Sequence, residues 1–256
     1  LRGRIIPMNS LPASSDFLEK YAPASEKLRE YTSEVIGRST ASATTRDAFF
    51  GPSAFVDLIH LMQLELTGAQ VSMAAPLSFD QQIEEGELRI RDMYRLYRFE
   101  NFLYTVNMTG GEIDRHLEHA AGQWFVTMRD AGDYMLNYRL DDSGSPVMSN
   151  GTARLRNPSY NFESAMGIKY TVDISRPQGA RVNIVSLSDG TPFSYSDTYT
   201  VAVNSYHANG GGGHFPAAGI AGKELEKRII SATERDLRHY MTEWIRSKGT
   251  ISPAPM

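Results

Sequence analysis

The chain has 256 residues, of which 41% are hydrophobic and 22% charged, and its formal net charge at pH 7 is −4. This composition predicts a soluble globular protein. The negative charge, without a long basic run, disfavours a nucleic acid as a partner. The absence of cysteine excludes disulfides and thiolate metal sites. No apolar run reaches the about 20 residues that a membrane-spanning helix needs.

The beginning of the chain predicts an irregular end followed by helices. Residues 1–13 contain two prolines and are predicted to be irregular. Ser15 and Asp16 favour a helix over 15–22, and Pro23 suits the first turn of a second helix over 24–36. The segment 38–47, rich in Ser, Thr and Ala, predicts a loop. Because the chain starts at Leu1 rather than Met, we expect it to be a piece of a longer or matured chain.

Helices and short strands then alternate. Apolar residues at helical spacing predict a helix that begins near Ser53 and ends at Gly68. His60 lies off the apolar stripe, so a structural or solvated role is expected for it. The further predicted elements are a buried strand over 69–75, an extended segment over 88–90, a helical turn over 92–96, a strand over 102–108 and a helix over 112–121.

The second half predicts mainly strands. Residues 123–165 are the least regular part and predict short strands joined by long loops. The alternating segments 167–175 and 182–187 predict a hairpin. Apolar residues recur at mixed helical spacing over 223–248, which predicts one long helix, and the tail 252–256 is predicted to be irregular. This order of elements predicts an α+β fold, with mixed, largely antiparallel sheets packed against helices.

No catalytic centre is evident from the sequence. His116 and His119 are three residues apart on one predicted helix, so a helical metal site is conceivable. A charged, solvated helix face is favoured, because no third ligand is implied. Motifs of zinc proteases, P-loops and serine hydrolases are absent.

The stretch 199–215 stands out from the rest. In its first half, β-branched residues alternate with other residues, which predicts a half-buried strand. Its second half contains four consecutive glycines, 210–213. Glycine tolerates positive φ and lets a ligand approach the bare backbone. Tyr206 and His207 stand where the strand enters this turn. A flexible loop without a ligand is the alternative.

Several motifs resemble one known family. Residues 204–213 are similar to the Asn-x-Phe/Tyr-x-Ala-x-Gly-Gly-Asp-Gly signature of the 5′-nucleotidase C-terminal domain, and residues 86–101 resemble the family's Gly…Asp…Pro-Phe-x-Asn segment. Residues 74–77, and the glycine run that passes directly into 214–216, resemble the 2′,3′-cyclic-nucleotide phosphodiesterase branch. Because the resemblance covers nearly the whole chain, we expect 1–256 to form one such domain.

The resemblance implies a role in recognition. Enzymes of this family are two-domain, usually exported hydrolases, in which an N-terminal metallophosphoesterase domain holds two divalent metal ions. The C-terminal domain binds the nucleoside and presents its phosphate to these metals. By resemblance, Phe99 and Tyr206 stack on the base, and Arg46 contacts the phosphate. The residues expected to line the sugar are Asn209, Gly210, Gly211 and Gly212.

The same resemblance implies partners and a compartment. The expected partners are a nucleoside or nucleotide and an N-terminal metallophosphoesterase domain of the same polypeptide, and the expected location is periplasmic or extracellular. The metal-binding motifs of that domain are absent from these 256 residues. We therefore expect no cofactor in this chain, and we expect the chain alone to bind a nucleotide without hydrolysing it.

The chain departs from the family pattern at three places. Gly212 replaces the signature aspartate that bonds the ribose, and Arg98 replaces the proline before Phe99. The arginine of the family's Asn-Gly-Gly-x-Ile-Arg segment has no clear counterpart over 76–85. These departures leave an alternative, in which the fold serves as a non-catalytic interaction or structural module. A third hypothesis is an autonomous metal hydrolase that uses His116 and His119.

Overall fold

A computed structural model describes residues 3–78 and 80–255, so Phe79 and the outermost residues of the two predicted irregular ends lie outside it. The helices are α1 Ser15–Ser33, α2 Ala54–Thr67, α3 Ile90–Leu96, α4 Gly110–Trp124, α5 Ser205–Ala208, α6 His214–Ala218, α7 Lys223–Arg228 and α8 Leu237–Lys248. The strands are β1 Val35–Ser39, β2 Ala43–Thr44, β3 Val71–Ala74, β4 Gln82–Ile83, β5 Gly86–Arg89, β6 Leu103–Thr109, β7 Met148–Ser149, β8 Thr152–Ala153, β9 Ser164–Met166, β10 Ile168–Val172, β11 Val182–Leu187, β12 Thr198–Asn204, β13 Ile229–Ala232 and β14 Thr250–Ile251. Short 3-10 turns cover Met8–Ser10, Asp47–Phe49, Ser159–Asn161 and Gly211–Gly213.

The largest sheet has five strands in the order β13-β6-β12-β3-β9. Strand β12 pairs antiparallel with β6 over its whole length and parallel with β3 on its other side. A second sheet has the order β14-β1-β5, and β10 and β11 form the predicted hairpin. The predicted α+β class, with mixed and largely antiparallel sheets, is confirmed.

The five-stranded sheet separates two apolar clusters. Ala202 of β12 packs into the cluster that contains α2, α3 and α8. Its neighbours Val201 and Val203 pack into the cluster that contains α4 and α6. Since successive strand residues point to opposite faces, both faces of β12 are buried, and the strand carries its C-terminal turn on a fixed base.

Helix α1 differs from the prediction of two helices. It is continuous through Pro23, and none of its residues is buried. Proline removes one backbone hydrogen bond, but the flanking residues are mostly strong helix formers, and the helix continues through it. Leu28 and Tyr31, which lie three residues apart on this helix, are 60% and 56% exposed.

Two other predictions are wrong. The segment 38–47 is not only a loop, because β1 starts in the predicted helix over 24–36 and ends at Ser39, and β2 lies within the segment. Both strands form by pairing with distant strands. The single helix over 223–248 is divided into α7, β13 and α8. Ile229 and Ile230 are β-branched and begin an edge strand on β6. Asp236 then begins a new helix, since its side chain accepts a hydrogen bond from the His239 N–H at 2.9 Å.

Strand β3, helix α2 and helix α4 agree with their predictions apart from their exact ends. Gly68 ends α2 in the left-handed conformation, with φ of 64°. Thr109 and Glu112 begin α4 with reciprocal side-chain-to-backbone hydrogen bonds. No helix in the described part of the chain combines the length and the apolar character that crossing a membrane requires.

Candidate functional site

The turn after β12 is built on a buried polar cap. Asn204 ends the strand, and its side-chain oxygen accepts a hydrogen bond from the His207 N–H at 3.0 Å, which begins the short helix α5. The chain then passes through Gly210, Gly212 and Gly213, with φ of 97°, 67° and 79°. Side chains rarely adopt these left-handed conformations, so the run of glycines is required by the backbone path.

Tyr206 lies on this turn with its ring against Gly211. A Cβ at Gly211 would lie 2.5 Å from the Tyr206 ring, so only glycine allows this approach. The Tyr206 side chain is 41% exposed. The ring is therefore supported on one side by bare backbone and remains accessible from solvent.

A chain of three rings connects the two predicted stacking residues. The ring of Phe99 contacts that of Tyr160 at a centroid distance of 5.4 Å and an interplanar angle of 77°. Tyr160 contacts Tyr206 at 6.1 Å and 79°. The structure therefore brings Phe99 and Tyr206 into one neighbourhood, with Tyr160 packed edge-on against each. Their role in binding a base stays a prediction.

Asn161 faces the glycine that replaces the signature aspartate. A Cβ at Gly212 would lie 2.9 Å from the Asn161 Oδ1 atom, so the Asn161 amide occupies the space beside that backbone. The Tyr206 hydroxyl donates a hydrogen bond to Asn161 Oδ1 at 3.4 Å. The polar side chain next to the turn is therefore supplied by residue 161 rather than by residue 212.

A buried carboxylate supports the turn from below. Glu163 Oε2 accepts a hydrogen bond from His116 Nε2 at 2.6 Å, and Glu163 Oε1 lies 2.6 Å from His207 Nδ1. That nitrogen lies 2.9 Å from the amide of Asn204, so the carboxylate is its closer partner. Burial alone would raise the pKa of Glu163, but His207 and His116 together hold this pKa well below its ordinary value.

This network corrects the predicted solvated face of α4. His116 is completely buried, and Glu118 accepts hydrogen bonds from the N–H groups of Val182 and Gly179 at 2.6 and 3.0 Å. The hairpin β10–β11 covers this face. Neighbouring His119 contacts the Gly212 carbonyl oxygen at 2.8 Å. In the described residues, the group with metal-ligand character is His116, Glu163 and His214, all buried.

Two further histidines are buried as neutral imidazoles. Burial lowers the pKa of His60 to about 4, although the charge of Glu163 opposes the shift. His60 contacts the hydroxyl groups of Ser72 and Ser164 at 2.9 and 3.1 Å, which confirms a structural role. For His214, burial and the charge of neighbouring His116 lower the pKa to about 3, and no described residue bonds to either of its ring nitrogens.

Among the described residues, the side chains of Arg46 and Asn209 bond to partners outside the three rings of Phe99, Tyr160 and Tyr206. Arg46 is exposed and pairs with Asp80 at 2.9 Å, and no contact of the described residues joins it to Phe99 or Tyr206. Its phosphate contact stays a prediction. Asn209 lies on the turn, and its side-chain amide donates to the Ser205 carbonyl oxygen at 2.7 Å. The sequence reasoning missed Tyr160, Asn161 and Glu163, because the irregular segment that carries them shows no periodicity.

Comparison with known proteins decides the family. The family described as "5′-nucleotidase, C-terminal domain" matches residues 35–219. The chain belongs to this family. Its core elements from β1 to α6 therefore form a 5′-nucleotidase C-terminal domain, and the glycine turn lies near the end of the matched range.

Curated relatives are longer than this member of the 5′-nucleotidase C-terminal family. The trifunctional nucleotide phosphoesterase protein YfkN of Bacillus subtilis is 29% identical over 182 residues, which are 67% of this chain and 11% of that protein. The 2′,3′-cyclic-nucleotide 2′-phosphodiesterase/3′-nucleotidase of Salmonella typhimurium is 28% identical over 195 residues, which are 70% of this chain and 26% of that protein. The chain thus spans about a tenth to a quarter of the length of these relatives.

Solved structures support the fold of the 5′-nucleotidase C-terminal domain. A 5′-nucleotidase precursor from Thermus thermophilus matches with a TM-score of 0.68 and 21% identity, covering 95% of this chain and 43% of that one. NAD nucleotidase from Haemophilus influenzae matches with a TM-score of 0.58 and 16% identity, covering 94% and 40%. At these identities the likeness shows the fold alone.

Proposed function

We propose that this chain is the nucleotide-recognition part of a two-domain nucleotide phosphoesterase of the 5′-nucleotidase or 2′,3′-cyclic-nucleotide phosphodiesterase type. The observation that carries the proposal is the exposed Tyr206 ring on bare Gly211, joined to Phe99 through Tyr160. Flat aromatic faces beside accessible backbone suit a nucleobase and its sugar. The base stacks at these rings, and its phosphate is presented to a second domain.

The two divalent metal ions of such an enzyme belong to that second domain. Within the described residues, the group of His116, Glu163 and His214 does not fit an open catalytic metal centre. Its members are completely or almost completely buried, and both oxygens of Glu163 already face imidazole nitrogens at 2.6 Å. A catalytic metal site keeps an accessible position for water or substrate.

Helix α1 supports the presence of a further domain. Phe17, Tyr21, Leu28 and Tyr31 are separated by four, seven and three residues, spacings that place all four on one helix face. These side chains are 46% to 60% exposed. An apolar stripe of this kind is typical of a contact surface. We propose that the metal-bearing domain covers it, in a periplasmic or extracellular enzyme.

Replacing Tyr206 by alanine is expected to weaken nucleoside binding. Stacking on an aromatic side chain contributes about 1–3 kcal/mol per base, so the affinity for adenosine should fall about ten- to a hundredfold. The measurement is a thermal-shift and calorimetric titration with adenosine, AMP and other nucleosides. Tyr195→Ala is the matched control, because Tyr195 is 49% exposed and contacts Phe193 rather than the three rings. Absence of nucleoside binding by wild type would contradict the proposal and favour the alternative, a non-catalytic interaction or structural module.

Replacing Tyr160 by alanine is expected to change binding in the opposite direction. Tyr160 packs edge-on against both Phe99 and Tyr206, so a base that stacks on these two rings must first displace it. Breaking two aromatic contacts costs about 1–3 kcal/mol. The affinity of Tyr160→Ala for adenosine should therefore be about tenfold higher, measured by the same titration. Weaker binding would show that Tyr160 is itself a stacking platform.

A further inference from the structure

A cavity of about 1100 Å³ is lined by Tyr160, the middle one of the three rings. Most of its wall comes from 134–140 and 152–160, within the irregular region of the sequence. Four of its described lining side chains are arginines and none is acidic, although the chain as a whole has a net charge of −4. The arginines of this cavity, named here the arginine cavity, are Arg98, Arg139, Arg154 and Arg156.

Backbone pairing places three of these arginines on one face. Tyr138 and Leu155 form an antiparallel bridge. The Arg139 N–H donates to the Arg154 carbonyl oxygen at 2.8 Å, so these two residues lie directly opposite each other. Arg156 follows Arg154 by two residues and therefore shares its face. Like charges opposite each other in paired strands destabilise the fold.

No acidic side chain among the described residues pairs with these guanidinium groups. None of the four takes part in an ion pair between described residues, and Arg98 lies over the ring of Phe99 at 5.4 Å. The nearby Asp141 is occupied by its own turn, because its Oδ1 atom accepts hydrogen bonds from Ser143 and Ser145. The cavity is thus a local concentration of unpaired positive charge.

We propose that the arginine cavity is a binding site for a phosphate group of a small phosphorylated molecule. Guanidinium groups bind phosphate through paired, charge-assisted hydrogen bonds, and several converging arginines suit a phosphate or pyrophosphate group. An anion would also remove the repulsion between Arg139 and Arg154. The volume of the cavity accommodates a nucleotide-sized ligand.

The phosphate has two possible sources. It is either a second phosphate of the nucleotide whose base stacks on the adjoining rings, or part of a separate phosphorylated molecule. The first assignment rests on the proposed function, because it needs the base to bind at Tyr206. The arginine cavity itself rests only on its own residues.

Calorimetric titration of the chain with inorganic pyrophosphate at low salt tests the cavity. Wild type should bind pyrophosphate, and Arg139→Gln/Arg154→Gln should weaken this binding about a hundredfold, since removing each charge-assisted hydrogen bond costs about tenfold in affinity. Arg29→Gln/Arg91→Gln removes the same charge from exposed positions outside the cavity and should leave the affinity unchanged. Absence of pyrophosphate binding by wild type, or equal weakening in the control, would overturn the proposal.

Folding of the variant is measured separately by thermal melting without ligand. Because two opposed arginines are removed, the double variant should melt no lower than wild type. If it is unfolded, Arg156→Gln replaces it, with about tenfold weaker pyrophosphate binding as the expected result. If both variants fold and both bind pyrophosphate as tightly as wild type, the arginine cavity is not the phosphate site.

Titrations with adenosine, AMP and adenosine 3′,5′-bisphosphate distinguish the two sources. If one ligand spans both sites, the bisphosphate binds more tightly than AMP, and the double variant loses this gain. If the phosphate belongs to a separate molecule, adenosine and pyrophosphate bind together without competition and the gain is absent. Pyrophosphate binding without any adenosine binding would retain the arginine cavity and contradict the proposed function.

Discussion

Replacing Glu163 by glutamine is expected to lower the free energy of unfolding by about 3 kcal/mol, with a fall in Tm on the order of 10 °C. Glu163 is buried and its two oxygens lie 2.6 Å from His116 Nε2 and His207 Nδ1. An amide offers one acceptor and one donor instead of two acceptors. One imidazole N–H would therefore face an amide N–H, and a buried polar group would lose its partner.

The effect should reach the candidate site. His207 directly follows Tyr206, and its backbone N–H is held by Asn204 at the start of α5. Since Glu163 fixes the imidazole of His207, its loss releases one support of the turn that carries the Tyr206 ring. We expect adenosine binding to weaken in Glu163→Gln at temperatures where the protein is still folded.

Urea unfolding at pH 7, followed by circular dichroism, measures the change in stability. Glu224→Gln is the control, because Glu224 is a surface carboxylate paired with Lys227 and Arg228 at 3.3 and 3.0 Å. Exposed pairs contribute about 0–1 kcal/mol, so this variant should remain close to wild type. Equal stability of Glu163→Gln and Glu224→Gln would show that the buried charge does not hold the turn.

The sequence predicts those parts of the site that leave a pattern in consecutive residues. The alternation of β12 and the glycine run that follows identified the turn, because strand periodicity and positive φ leave a pattern in consecutive residues. The family resemblance then added Phe99, which lies in the same neighbourhood through Tyr160.

The residues that were missed depend on distant contacts. Glu163 reaches His116 across 47 residues of sequence, and Asn161 reaches the Tyr206 hydroxyl across 45. Neither spacing leaves a periodic pattern in the sequence. A distant contact also explains why the prediction of one helix over 223–248 is wrong. Strand β13 interrupts that segment because it pairs with the edge of β6. Tertiary pairing there overrides the local helical spacing.

Lowering the pH from 7 to 5 is expected to destabilise the protein by about 4 kcal/mol through two buried histidines. The pKa values of His60 and His214 are lowered from 6.5 to about 4 and about 3, in both cases mainly because burial disfavours the charged imidazole. The negative charge of Glu163 opposes both shifts. His116, His207 and His119 also face His214 and add to its shift.

The direction of this change in stability follows from the pH at which the imidazoles bind protons in the folded and the unfolded state. Below pH 6.5 the unfolded chain takes up a proton on each imidazole, whereas the folded chain keeps both neutral until about pH 4 and about pH 3. Acid therefore favours the unfolded state throughout this window. Between pH 6.5 and 5 each histidine costs about 2 kcal/mol, since one pKa unit corresponds to about 1.4 kcal/mol.

Urea unfolding at pH 7, 6 and 5 measures this loss of stability. The variant His214→Leu tests whether His214 accounts for about half of the loss. Neither ring nitrogen of His214 bonds to a described residue, so an apolar side chain of similar size should leave the stability at pH 7 nearly unchanged. The loss between pH 7 and 5 should then fall to about 2 kcal/mol. His239→Gln, at an exposed position, should keep the wild-type dependence. Equal stability of wild type at pH 7 and pH 5 would show that these imidazoles accept protons in the folded state, for which the interior around His214 would have to admit water.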